Sequence, residues 1–256
     1  MNPLTLVRLQ PDMARLARWA RGSGLRDAAA DPGYAVHAAS RAALGSLAPK
    51  PFMLRRRSGV EELVGYSQAT PQQLERAQVL DTNDPEAGAA LGLSGLVAKA
   101  MPADWRADER FSFEVRVAPV VRSRAQAPGR YVEIDAAYHP SYATVPGDRD
   151  AAYGAWLGAQ LGRQGAATLL AMEPVSFHLT DMVRRTQAGG GSAGVAREGE
   201  RRARLGRLPD LTVRGELCVT DGAAFADLLG RGLGRHRAFG FGCLLLAPPG
   251  AFGRGR

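Results

Sequence analysis

Tyr34 and His37 stand three residues apart at the start of a stretch with helical spacing, so one helix face would carry both side chains. An imidazole titrates near neutrality and can take or give a proton at working pH, whereas a phenol with a pKa of about 10 is suited to donating a hydrogen bond. The pair can therefore serve proton transfer, with His37 as general acid or base and Tyr34 as its partner. Packing at the edge of a core has the same spacing, and the spacing alone does not separate the two. Arg41, one turn beyond His37, would lie on the same face, either offered to an anion or simply solvated.

A second group is the run from Gly230 to Gly242, in which Gly232, Gly234, Gly240 and Gly242 alternate with Arg231, Arg235, His236, Arg237 and Phe239. Glycine lets backbone N–H groups come close to an anion, and guanidinium groups add charge-assisted bonds to it. A glycine-rich turn joining a helix to a strand has the same composition. A dinucleotide loop is disfavoured, because that loop follows a strand and opens a helix, whereas this one does the reverse. A third group is Arg184, Arg185, Arg197, Arg201, Arg202, Arg204 and Arg207, interrupted by Gly189 to Gly191. It reads as a solvated basic loop or as a phosphate-gripping excursion.

The rest of the composition narrows the class. The chain has 256 residues, 45% of them hydrophobic, which is enough for one large or two small cores. Its formal charge is +8, and of 33 basic residues only Lys50 and Lys99 are lysines. Arginine forks bind phosphate bidentately and stack on bases. Cys218 and Cys243 lie in apolar stretches without a CxxC or a neighbouring histidine, so they read as core residues of a reduced, cytoplasmic protein. No apolar run is long enough to span a membrane, and no carboxylates stand at metal-ligand spacing, Asp81, Asp84 and Glu86 sharing a turn with Pro85. No cofactor and no metal are expected.

The elements that must position these groups follow from periodicity. Leu4 to Leu9 reads as a strand, followed by a short arginine-rich helix, a helix from Tyr34 to Leu47, strands at Phe52 to Arg56 and Leu63 to Ser67, a helix opened by Pro71, and a strand from Phe111 to Val121. That order is the β-α-β-β-α-β unit. After a connection over 122–148 with a short strand at Tyr131 to Ile134, the pattern recurs: a helix from Ala151, strands at Leu169 to Arg184 and Asp210 to Val219, a helix from Ala223, and a closing strand from Phe241 to Leu246. The expected architecture is α+β, two tandem ferredoxin-like domains at 1–121 and 149–256.

The terminal loop with its following strand resembles the glycine-rich loop of the CRISPR-associated repeat endoribonucleases. The whole chain is similar to their CasE branch through Pro32-Gly33-Tyr34-Ala35-Val36-His37, Pro51 to Arg55, Phe111 to Val117, Tyr153 to Leu157 and the loop. The resemblance implies two ferredoxin-like domains and metal-independent cutting of precursor CRISPR RNA at the base of the repeat hairpin. It also implies attack by the ribose 2′-hydroxyl and retention of the guide RNA beside other Cascade-type subunits. Tyr34 and His37 fall on the family's catalytic positions. Arg41, Arg184, Arg185, Arg201, Arg202 and the loop residues 231, 232, 234–237, 239, 240 and 242 become expected RNA contacts. Ala38 departs from the family, which often has a basic residue there, and this keeps a non-catalytic hairpin-binding subunit as the alternative.

Overall fold

The computed structural model describes residues 3–25, 31–79, 83–124, 131–185 and 203–252. Strand β1 (Thr5–Leu9) turns Val7 and Leu9 to one side and Leu6 to the other. Helix α1 (Met13–Gly22) follows, capped by Asp12. Helix α2 (Pro32–Leu44) starts where its sequence says it should: the Asp31 carboxylate accepts the Tyr34 N–H at 3.0 Å and Pro32 occupies the first turn. It stops at Gly45, whose φ of 56° no longer continues a helix. A 3-10 turn covers the last three residues of the expected span, Gly45–Leu47.

Strands β2 (Phe52–Arg57) and β3 (Val60–Ser67) form a hairpin over Ser58 and Gly59, both at positive φ. Helices α3 (Pro71–Val79) and α4 (Pro85–Ala90) and strand β4 (Val97–Ala100) complete an antiparallel sheet of order β2-β3-β1-β4. The second unit runs through β5 (Arg110–Val117), the hairpin β6 (Val120–Arg124) and β7 (Tyr131–Asp135), and α5 (Arg149–Leu161). Strands β8 (Ala167–Arg185) and β9 (Ala203–Val219), helix α6 (Gly222–Arg231) and β10 (Leu245–Ala247) close it. Its sheet order, β10-β5-β9-β8, is the same ferredoxin-like arrangement as the first. The fold is thus α+β with two tandem ferredoxin-like units, as expected.

Sheet membership corrects two details of the expected organisation. The strand that closes the first sheet is Val97–Ala100, and residues Arg110 to Val117, expected to do so, pair with β9 and β10 in the second. The change of unit therefore falls between 100 and 110, not at 121. Nor is 111–121 one strand: Pro119 has no N–H for a ladder, so β5 ends before it and β6 begins a separate hairpin. The closing strand is shorter than expected as well, because Gly240 and Gly242 at φ of 85° and 78° leave the β region.

β3 shows why the two units hold together. Leu63 packs under the helices with Val7, Leu9, Phe52 and Val36, whereas Val64 and Tyr66, on the opposite face, join Phe113, Trp156 and Leu244 of the second unit. The Tyr66 hydroxyl donates to the Leu244 carbonyl at 2.8 Å. A strand buried on both faces is apolar on both, which is why Leu63 to Tyr66 reads as a continuous run rather than an alternation.

Candidate functional site

The first turn of α2 lies against the glycine-rich loop of the other unit. The Tyr34 ring stacks on Phe239, centroids 5.5 Å apart and planes at 23°. Gly33 makes this approach possible, since a Cβ there would overlap the Phe239 carbonyl. Val36, Ala39 and Ala43 anchor the buried side of the helix, leaving Tyr34 and His37 half-buried and Arg41 exposed on its flank. Asp31, which caps the helix, has its second carboxylate oxygen buried without a hydrogen-bond partner among the described residues. Burial raises its pKa above the ordinary value, against the lowering effect of the Tyr34 N–H and of Arg116.

His37 is held below its ordinary pKa, first by burial and then by the positive charges of Lys50 and Arg41. The imidazole is therefore biased toward its neutral, proton-accepting form. Arg41 itself donates to the Gly45 carbonyl at 2.7 Å, closing the end of α2, so its charge reaches His37 while one of its nitrogens is occupied. Lys50, exposed just before β2, is a second cation at this imidazole. Its sequence signal, being one of two lysines among 33 basic residues, bears only on composition.

Within the loop the glycines are used differently from the expectation. The Gly232 and Gly242 N–H groups donate to the carbonyls of Leu228 and Arg116, both at 2.7 Å, and are thus not directed at a phosphate. Gly232, Gly240 and Gly242 are buried, and the space a Cβ would take beside Gly232 and Gly242 holds Pro51 and Leu233 atoms. Their job is close packing of the loop. Arg235 and His236 are also engaged, at 2.7 and 3.0 Å from the Glu133 carboxylate of β7, with the His236 side chain 5% exposed. Arg237 donates to the Arg231 carbonyl and Arg231 to Gln164. Burial and the nearby cations Arg231, Arg235 and Arg163 lower the pKa of Arg237.

Beside Phe239 a cleft of about 650 Å³ opens, lined by Lys50, Arg122, Arg163, Arg235, His236 and Arg237 around Trp156 and Gln160. Sequence reading missed Lys50, Arg122, Arg163, Trp156 and Gln160, because they come from four separated segments with no motif between them. Arg116 was missed too: it pairs with both oxygens of Asp210 and lies 4.3 Å over the Phe241 ring, fixing the loop to the sheet. Of the expected basic excursion, the backbone of Arg184 and Arg185 continues β8, opposite Arg204 and Ala203 of β9. Arg201 and Arg202 lie outside the described residues. Among the described residues no three His, Cys, Asp or Glu side chains are gathered as a metal ion would need, and no helix is long and apolar enough to cross a membrane.

A family model described as CRISPR associated protein matches residues 4–248. Among solved structures, a CRISPR endoribonuclease Cse3 bound to a 19-nucleotide RNA superposes with a TM-score of 0.61 at 21% identity, covering 96% of this chain and 100% of that one. Cse3 from Thermus thermophilus, bound to an RNA representing a pre-cleavage complex, gives 0.58 at 19% identity over 96% and 100%. A chain of a CRISPR RNA-guided surveillance complex gives 0.55 at 18% over 95% and 99%. At these identities what is shared is the fold. No curated protein sequence matches the chain.

Proposed function

The chain belongs to the CRISPR-associated protein family, and from that premise we propose that it is an endoribonuclease that cuts precursor CRISPR RNA at the base of the repeat hairpin, without a metal ion. The observation that carries this reading is the stacking of Tyr34 on Phe239, which brings a tyrosine–histidine pair of one unit against the basic loop of the other. In the proposed reaction the ribose 2′-oxygen attacks the adjacent phosphorus while its proton passes to a base, for which the neutral bias of His37 suits it. The bond from phosphorus to the 5′-oxygen breaks, and that oxygen takes a proton. The products are a 2′,3′-cyclic phosphate and a 5′-hydroxyl. Tyr34 orients the ribose or donates to it, and Lys50 and Arg41 stabilise charge on the phosphorane. The β8–β9 hairpin, with Arg184 and Arg185 on one strand and Arg201 and Arg202 beyond it, lies along the A-form stem, whose shape and backbone arginine forks recognise. The mature guide stays bound, and the protein works beside other subunits of a Cascade-type complex.

An end-labelled repeat hairpin from the source genome tests this. Cleavage persists in excess EDTA, leaves a 5′-hydroxyl, and stops when the nucleotide before the scissile phosphate is 2′-deoxy. Cutting of the deoxy substrate would exclude the chemistry, and binding without any cutting would favour the silent hairpin-binding subunit.

A further inference from the structure

The cleft beside the Tyr34–His37 face contains a built feature that proton transfer does not use. Gln160 of α5 lines it and is only 4% exposed, yet no described residue hydrogen-bonds its side-chain amide. A buried amide without partners is unfavourable, and one that opens on a cleft is satisfied by whatever enters. One turn back on α5, Trp156 forms the adjoining wall, its ring edge seated where Gly234, at φ of 64°, leaves no room for a Cβ. Arg163 and Arg237 stand at the rim of the same cleft. Their charges crowd one another, as the lowered pKa of Arg237 records, and a bound anion would relieve that crowding.

An aromatic wall, an unpartnered amide and a pair of guanidinium groups are the parts that hold one nucleotide: stacking for the base, hydrogen bonds for its edge, charge for its phosphate. A volume of about 650 Å³ takes a single nucleotide and excludes a duplex. Phe239 and Lys50 border both this cleft and the Tyr34–His37 face, so the occupant would lie next to the reacting bond. We propose that the cleft receives one unpaired nucleotide flanking the scissile phosphate, its base against Trp156 and Gln160 and its phosphate on Arg163 and Arg237. This rests on the RNA-cutting reading above and adds a subsite that selects for single-stranded RNA beside the stem.

The test is equilibrium binding of the repeat hairpin made uncleavable by 2′-deoxy substitution, with the base removed at each nucleotide flanking the scissile phosphate in turn. At one of these positions the abasic hairpin binds roughly 5- to 100-fold more weakly to the native protein. Gln160→Leu weakens the intact hairpin and makes that same abasic change neutral, while Arg163→Gln lowers the log–log salt slope by about 0.7. If neither flanking base matters, or if the Gln160→Leu and abasic losses simply multiply, the subsite is overturned and the cutting reading survives. If the native protein does not bind the intact hairpin, the premise fails with it. The exposed Arg163 variant keeps the test decisive should Gln160→Leu not fold.

Discussion

At the scale of single residues, His37 is the group on which a catalyst and a scaffold would differ. His37→Ala is expected to lower single-turnover cleavage on the order of 10²- to 10⁴-fold with hairpin affinity nearly unchanged, because proton transfer acts on the barrier and not on ground-state grip. Tyr34→Phe costs less, since the ring that stacks on Phe239 remains. Equal losses of rate and affinity in His37→Ala would make it a binding residue instead. The electrostatics make a separate prediction. Lys50 and Arg41 destabilise the imidazolium, so in the free protein His37 titrates below 6.5. A bound phosphate has the opposite charge and moves the midpoint up, and Lys50→Gln raises it in the free protein. Imidazole titration by NMR checks all three shifts, and a midpoint indifferent to Lys50 would remove that lysine from the site.

At the scale of elements, the contact between α2 and the loop decides the site. Glycine inside a helix is worse than alanine by about 1 kcal/mol, so Gly33→Ala should favour an isolated α2. In the folded protein its Cβ would overlap the Phe239 carbonyl, forcing helix and loop apart. Gly33→Ala is therefore expected to leave thermal stability near native or slightly lower, yet to reduce the cleavage rate on the order of 10²-fold, as sub-ångström to ångström misplacement of reacting groups does. A native rate in that variant would show that the tyrosine–phenylalanine contact is incidental. The loop glycines follow the same logic: they exist so that Arg116, Leu233 and Pro51 can lie against backbone, and the cations of the loop are what they place.

At the scale of the whole molecule, the two ferredoxin-like units share a core across Val64, Tyr66, Phe113 and Leu244. Buried carboxylates reinforce it: Glu114 of β5 lies 2.7 Å from Arg214 and 4.0 Å from Arg55 of β2, and Glu62 of β3 lies 3.2 Å from the same Arg55. Denaturant should consequently unfold the protein in one transition. Tyr66→Phe, which leaves the buried Leu244 carbonyl without its donor, is expected to cost about 1 kcal/mol and to preserve the single transition. Two separable transitions in the native protein would mean that the units are independent and that the site between them is not held by the core.

What the sequence determined by itself was local. Asp31 and Pro32 mark the start of α2, Gly45 ends it, and the period-2 and helical stretches spell two copies of one supersecondary unit; each is a matter of neighbours along the chain. The spacing of Tyr34 and His37 belongs to the same class. Which strand closes the first sheet was not local, because Val97–Ala100 and Arg110–Val117 both read as strands and only packing assigns them to different sheets. The environment of His37 was decided in the same way, since Lys50 comes from another element, and so was the cleft, whose Trp156, Gln160, Arg163 and Arg237 meet only when α5 and the loop are brought side by side. Burial and long-range charge set the chemistry of such groups, and neither is a property of a residue or its neighbours until the chain has folded.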